Sequence, residues 1–297
     1  MTNLIKKNKK VIIDFGANKG QNINYYLLKA DIVVCVEANP KLVKEIQKNF
    51  SNYIRDKKLF IENVVVVGEK EGKKESIDFY IHKKMDVLST LINPNNTQDF
   101  SQVKIKSKPI TKILEKYLTK NTVFYFAKFD LEGYDAIAIN SMLKADFYPI
   151  NISTEVHTLE SLEAICNSKK YIGFKLQEGN MVSRYVNLPV KTKNGTKIMK
   201  FINHSAGPIG EDIPSNWLTE KSIRNKLKVE GFGWKDVHAT MSPNSNPVDI
   251  KYSVLFKDGM KRVPILIYRI LLPFALRDNP TFKKAHSLKT YSLKNKR

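Results

Sequence analysis

Four strand-like runs in this chain stop at an acid. Val11-Ile12-Ile13 runs into Asp14, Ile32 to Val36 into Glu37, Thr122 to Phe129 into Asp130 with Glu132 close behind, and Ile150 to Thr154 into Glu155 and then His157. In an open α/β sheet the ligand sits outside the carboxyl ends of the strands, so these acids are where chemistry is expected. Asp130 and Glu132, one residue apart, have the makings of a general base or of a divalent-metal site. The competing reading is that one of them caps the helix that follows. Glu155 and His157, at the same edge, are further proton acceptors.

Between the first two acids lies a turn with Gly16, Asn18 and Gly20, small or left-handed-tolerant residues that let backbone pass close to a ligand. Glu37 comes seventeen residues after Gly20, near the ~20 at which an acid accepts hydrogen bonds from both hydroxyls of a ribose. The turn is not Gly-x-Gly-x-x-Gly, and an acid at the strand end repels a pyrophosphate. Asp14 suits a cationic ligand, such as the amino or sulfonium side of S-adenosylmethionine.

Apolar β-branched runs of this length read as buried parallel strands. Helices predicted over 21–29, from Asn39-Pro40 to Phe50, and over 110–118, 135–143 and 159–168 alternate with them. Leu59 to Val67 is expected to be a third buried strand, followed by a hairpin turn at 68–75 into the alternating run Ser76 to His82. Glu69 and Glu71 lie where an adenine-contacting acid could fall, and neither is assigned. Val103 to Pro109 alternates again, and Asn194-Gly195 signals a hairpin. The loop His204 to Asp212 holds a histidine, two acids and three chain breakers. Such loops bind acceptors or act as lids, which makes His204, Glu211, Asp212 and Trp217 the acceptor-pocket candidates. Trp217 and Trp234 could stack on a sugar face or pack inside.

With 297 residues and 42% hydrophobic content, the chain can bury a large core. Cys35 and Cys166 are too few for a disulfide framework or a zinc site. The polar, basic start and the lack of a ~18-residue apolar run predict a cytoplasmic protein. The formal net charge of +21 implies anionic partners. From Lys257 onward eleven lysines and arginines face two aspartates. That tail, with its apolar stretch 261–277, could lie on an anionic membrane, dock on a partner or pack on its own domain.

Three segments together resemble the FkbM-type family of S-adenosylmethionine-dependent methyltransferases. They are VIIDFGANKGQN with VVCVEANP, FAKFDLEGYDAIAINSML followed by INISTEVH, and FINHSAGPIGEDIPSNW. The resemblance implies an α/β fold, a Rossmann-like class I methyltransferase sheet with helices on both faces, here with a C-terminal extension. The organisation expected is a cofactor-binding core over 1–178, a β-rich acceptor or lid region over 179–256, and a basic tail over 257–297. It further implies that Asp14, Gly16, Asn18 and Gly20 line the methionine end of the cofactor and that Glu37 holds its ribose. Asp130 and Glu132 would sit beside the transferred methyl, and the acceptor would be a hydroxyl of a sugar, glycan or polyketide-like molecule. Asp130, Glu155 or His157 would take the proton, or a divalent cation such as magnesium held by Asp130 and Glu132 would lower the hydroxyl's pKa. The alternatives are a nucleic-acid methyltransferase, motivated by the charge, and a non-catalytic cofactor-binding module tethered to a membrane or anionic polymer.

Overall fold

The computed structural model describes residues 8–69, 72, 74–85, 89–94 and 97–250. The predicted basic tail and Glu71 lie outside them. Two units are distinguished: residues 1–223 with 232–249, which carry everything discussed below, and residues 224–231 with 250–297.

The chain begins with β1 (Lys9–Phe15), α1 (Ile23–Lys29), β2 (Ile32–Val36), α2 (Pro40–Asn49), α3 (Ser51–Arg55) and β3 (Leu59–Glu62). Next come β4 (Val65–Val67), β5 (Ser76–His82), β6 (Phe100–Pro109) and α4 (Ile110–Tyr117). The remainder is β7 (Thr122–Phe129), α5 (Asp135–Lys144), β8 (Asn151–Glu155), α6 (Glu160–Asn167), β9 (Gly173–Glu178), β10 (Leu188–Thr192), β11 (Gly195–Met199), α7 (Glu220–Glu230) and β12 (Lys235–Thr240).

A seven-stranded sheet in the order β3-β2-β1-β7-β8-β12-β9 forms the centre. From β1 the chain winds outward through β2 to β3, returns to pair β7 beside β1, and winds the other way. That reversal makes the gap between β1 and β7 the topological switch point, where α/β sheets open a crevice. With right-handed crossovers, α1 and α2 cover one face and α5 the other. Ile12 points to the α1 face, where it packs with Ile23, Tyr26 and Val33. Val11, Ile13 and Phe15 alternate to the opposite face and are fully buried. Phe15 stacks on Phe129 with ring centroids 4.8 Å apart, which fixes the ends of β1 and β7 against each other.

Helix α2 starts with Pro40 in its first turn and with the Asn39 side chain accepting from Lys41 N at 3.0 Å. Leu42, Val43 and Ile46 are buried, each worth ~1.5–3 kcal/mol. Glu37 is thereby anchored on both sides, by a core strand and by a packed helix.

The run Leu59 to Val67 forms two strands and not one. Asn63 leaves the sheet to donate from its side chain to the carbonyls of Glu37 and Ala38, both at 2.9 Å. Past it, β4 joins a separate three-stranded sheet, β4-β6-β5. There β4 runs parallel to β6 and β5 antiparallel to it, so the 68–75 segment connects strands that are not neighbours. The hairpin at Asn194-Gly195 forms in the expected place. Strand β12, which the apolar pattern did not signal, inserts antiparallel between β8 and β9. The central sheet therefore draws on residues past 178. Among the described residues, no helix is long and apolar enough to cross a membrane.

Candidate functional site

Strands β2, β1, β7 and β8 are consecutive in the sheet, and their carboxyl ends bring Glu37, Asp14, Asp130 and Glu155 to one edge. The edge is tied together by backbone. Gly16 and Ala17 both donate to Val36 O, at 2.9 and 3.1 Å, and Asp130 N donates to Phe15 O at 3.0 Å. Gly16 has φ +88°, and a Cβ there would lie 1.9 Å from the carbonyl oxygen of Asp130. Only glycine lets the two strand ends close to this separation. Asn18, at φ 49°, continues the left-handed turn and donates from its backbone to Glu37 Oε2 at 2.8 Å.

Glu37 is buried, and its second oxygen accepts from Asn39 N at 2.7 Å. Burial pushes its carboxyl up to about 7, against the pull of those two N–H groups. Asp14 is 3% exposed, and its Oδ1 has no hydrogen-bond partner among the described residues. Burial pushes it up to about 7 as well, with Lys128 opposing and Asp130 adding to the rise. Lys128, two residues before Asp130 and on the same strand face, donates to Asp130 Oδ2 at 2.8 Å. In register across five strands, Asp14, Lys128, Ser153, His238 and Lys175 form one buried polar row. His238 in that row is held neutral, its pKa lowered to about 3 by burial and by the two lysines.

Asp130, Glu132 and Glu155 offer oxygens that all lie within 4.8 Å of one another. Glu132 takes a left-handed φ of 49°, uncommon for glutamate. Its carboxyl is pushed up to about 8 by burial and by Asp130 and Glu155. Neither it nor Asp130 caps α5, whose N-cap residue Tyr134 makes no side-chain cap bond. Asp135, the first helical residue, instead ties down the preceding turn, accepting from Leu131 N at 2.8 Å and Gly133 N at 3.3 Å. His157 Nε2 lies 3.4 Å from Glu155 Oε2, and the hydrogen bond to Glu155 holds its pKa up to about 9. The imidazole is therefore a cation at neutral pH, so His157 is not poised to accept a proton.

Gly16, Asn18, Glu37, Asp130 and Glu132 line one crevice of about 690 Å³, counting space open to solvent. Beyond Glu37 its wall turns apolar, with Ala38, Leu42, Val64, Val65, Phe79 and Leu91. Among the described residues, no acid lines that part. Glu69 instead accepts a hydrogen bond from the Thr111 hydroxyl.

Other expected site residues lie elsewhere. Gly20 does not line the crevice; its Cα faces the Ile23 and Ile46 side chains. Asp212 is buried against α1, where it accepts from Tyr25 OH and from Lys29 Nζ, both at 2.5 Å. Glu211 pairs with the same lysine and bonds Tyr125 OH. Asp212 is thus part of a buried ion cluster on Lys29, with the exposed Glu211 at its rim. Trp217 packs under Lys175, whose Nζ is 4.5 Å from its ring centroid. Only His204 stays near the sheet's carboxyl edge, stacked on Trp234 at 5.5 Å beside the start of β12.

One residue of the edge was not foreseen. Asp236 on β12 pairs in register with Glu155 and Gln177. Burial pushes it up to about 8, with Lys128 opposing and Asp130, Glu155 and Asp135 adding. A period-2 reading of Lys235-Asp236-Val237-His238-Ala239-Thr240 would have signalled the strand, since Val237 and Ala239 alternate with polar residues.

The family profile described as Methyltransferase FkbM domain matches residues 14–191. No curated protein matches the chain. Among solved structures, a methyltransferase FkbM of Methylobacillus flagellatus KT aligns at 16% identity and a TM-score of 0.38, over 60% of this chain and 42% of that one. The chain thus spans about two fifths of that protein's length. A precorrin-6y C5,15-methyltransferase of Geobacter metallireducens GS-15 aligns at 11% identity, TM-score 0.35, over 80% and 84% of the two chains. A SAM-dependent O-methyltransferase of Thermotoga maritima aligns at 11% identity, TM-score 0.33, over 80% and 60%.

Proposed function

The chain belongs to the FkbM methyltransferase family, and on that premise we propose that it transfers the methyl group of S-adenosylmethionine to a hydroxyl of a sugar, glycan or related small acceptor. The residues fit the donor. Gly16 opens backbone that no side chain could occupy, and Asp14 holds a buried, unpartnered oxygen beside it. Glu37 has both oxygens aimed by backbone N–H groups, with lone pairs left for two ribose hydroxyls. The apolar wall at Val64, Val65, Phe79 and Leu91 suits an adenine ring. Bound there, the donor supplies an electrophilic methyl group on a cationic sulfur.

What the protein must add is alignment and a proton acceptor. Lys128 holds Asp130 in place, and His157, as a cation, steadies Glu155. The Glu155 carboxylate is the group we assign to take the acceptor's proton, with Asp130 orienting the hydroxyl. The second reading is that Asp130, Glu132 and Glu155, whose oxygens lie close together, would hold a divalent cation, which would lower the pKa of the acceptor hydroxyl. Chelation separates the two: full transfer in EDTA supports the carboxylate, and loss restored by magnesium supports the cation.

The observation that carries the acceptor class is the acidic edge itself. Despite the basic chain, the crevice presents Asp130 and Glu132, with Glu155 close to both, and Lys128 is paired with Asp130. Such an edge repels a phosphodiester and suits a neutral hydroxyl. Incubating the protein with labelled donor and either glycan and lipid extracts or RNA and DNA tests this. Label in the nucleic acid alone would overturn the assignment. His204 beside Trp234 is the one acceptor-side candidate from the sequence that we retain.

A further inference from the structure

Strands β10 and β11 form a two-stranded ribbon separate from both larger sheets. Alternation gives the ribbon two unlike faces. Leu188 and Val190 point inward and share a core cluster with Tyr25 and Tyr26 of α1. Lys193 fastens the turn, its Nζ donating to Ala30 O at 2.6 Å. On the other face Pro189 lies opposite Ile198 and Lys191 opposite Thr196, and all four are exposed. Ile198 is 63% exposed and Ile202, just past the ribbon, 56%. These are the two most exposed large apolar side chains among the described residues, and Val186, just before the ribbon, is exposed as well. Single apolar residues on a surface need no explanation. Here three fall on one short stretch and are interleaved with cations. Arg184, Lys191, Lys197 and Lys200 are all exposed, and from Gly179 to Gly210 the chain holds no acid.

We propose that this ribbon face seats the protein on a bilayer containing anionic phospholipid. Ile198 and Ile202 enter the boundary between headgroups and acyl chains, while the lysines reach the phosphates on their flexible stems. The pattern favours a bilayer over other anionic or protein partners. An anionic polymer would engage the lysines and gain nothing from the isoleucines. A second copy adding a strand to β11 would bring lysine against lysine, and lysines on an edge strand discourage such pairing. Binding of this kind is independent of the methyltransferase reading above and of whatever the basic tail binds.

The full chain carrying Ile198→Cys, labelled with an environment-sensitive fluorophore, tests this, since the native Cys35 and Cys166 are buried. Ile137→Cys is the control, an exposed position on α5, which covers the opposite face of the central sheet. Each is mixed with vesicles of phosphatidylcholine alone or of phosphatidylcholine with phosphatidylglycerol. A blue shift is expected at 198 and not at 137, only with phosphatidylglycerol present, and weakening as salt rises from about 0.1 to 0.5 M. The label reports its own surroundings, so attachment through another basic segment does not mimic the result. In cosedimentation, Lys191→Ala with Lys200→Ala should weaken vesicle binding about tenfold or more, at roughly fivefold per lysine. Ile198→Ser with Ile202→Ser should weaken it by a similar factor, about tenfold. No shift at 198, or an equal shift at 137, overturns the proposal. A serine pair that binds vesicles as tightly as the parent overturns it in favour of a polyanion. A shift at 198 that grows with protein concentration in the absence of vesicles overturns it in favour of a second copy of the chain.

Discussion

Replacing Glu37 by glutamine separates what this residue does for binding from what it does for stability. In the parent each carboxylate oxygen accepts one backbone N–H, from Asn18 at 2.8 Å and from Asn39 at 2.7 Å. In Glu37→Gln the amide nitrogen must face one of those donors, so one bond is lost, at ~1–2 kcal/mol. Against that stands the burial of a charge. A carboxyl raised from 4.5 to about 7 makes the ionised protein less stable by ~3 kcal/mol. The sign follows from the raised folded pKa. Stability is highest below pH 4.5, falls as the unfolded chain ionises between there and about 7, and then stays level. Glu37→Gln escapes that fall, so above pH 8 it should melt no lower than the parent, and its melting temperature should be flatter across pH 4.5 to 7. Binding goes the other way. Losing a charged acceptor for the ribose costs ~1.5–3 kcal/mol, or about 10- to 100-fold in affinity. Differential scanning fluorimetry with and without S-adenosylmethionine, followed by calorimetric titration, measures both. A folded Glu37→Gln protein that binds the donor as tightly as the parent would remove Glu37 from the ribose site.

Gly16→Ala should cost several kcal/mol, about 2–4, because its Cβ would overlap the Asp130 carbonyl at 1.9 Å and its backbone is left-handed; chemical denaturation measures the loss, and a neutral result would mean the two strand ends are not tied. Lys29→Met leaves Asp212 buried without its cation and strips the more exposed Glu211 of the same partner. Breaking such a pair costs ~3–5 kcal/mol, read as a fall in melting temperature of about 10 °C, while donor affinity measured on the folded fraction stays unchanged. His157 should titrate near 9 by NMR and fall toward its ordinary 6.5 in Glu155→Gln, since the bond to Glu155 is the main cause of the rise; an unmoved titration would mean the two side chains do not meet.

The parts of this site that are continuous in sequence were legible there. Strands β1, β2 and β7 are mainly apolar runs and β8 a short, more polar one, each buried and closed by an acid, and the parallel-sheet rule puts all four ends on one edge. What stayed hidden was set by pairing across long distances. The valines at 64–67 look continuous with Leu59 to Glu62, yet Asn63 spends its side chain on the Glu37 and Ala38 carbonyls and turns the chain into another sheet. Asp212 and Glu211 sit in a loop whose composition suggests ligand binding. Their partner is Lys29, on the helical face with Tyr25, a face the hydrophobic pattern of α1 did not mark as buried. Asp236 escaped notice because four of the six residues of its strand are polar, and Asp236 and His238 face other polar residues across the sheet.

The position of β12 has a bearing on how the chain is made. Strands β8 and β9 follow one another in sequence but are held apart by a strand that leaves the ribosome more than fifty residues later. Until then the growing sheet carries a naked border along β8, with β9 unable to dock. Such borders invite pairing with another chain. Among the described residues the last strand of this sheet to be synthesised is the one that fills the gap, and a nascent chain stalled ahead of Lys235 should be prone to aggregation.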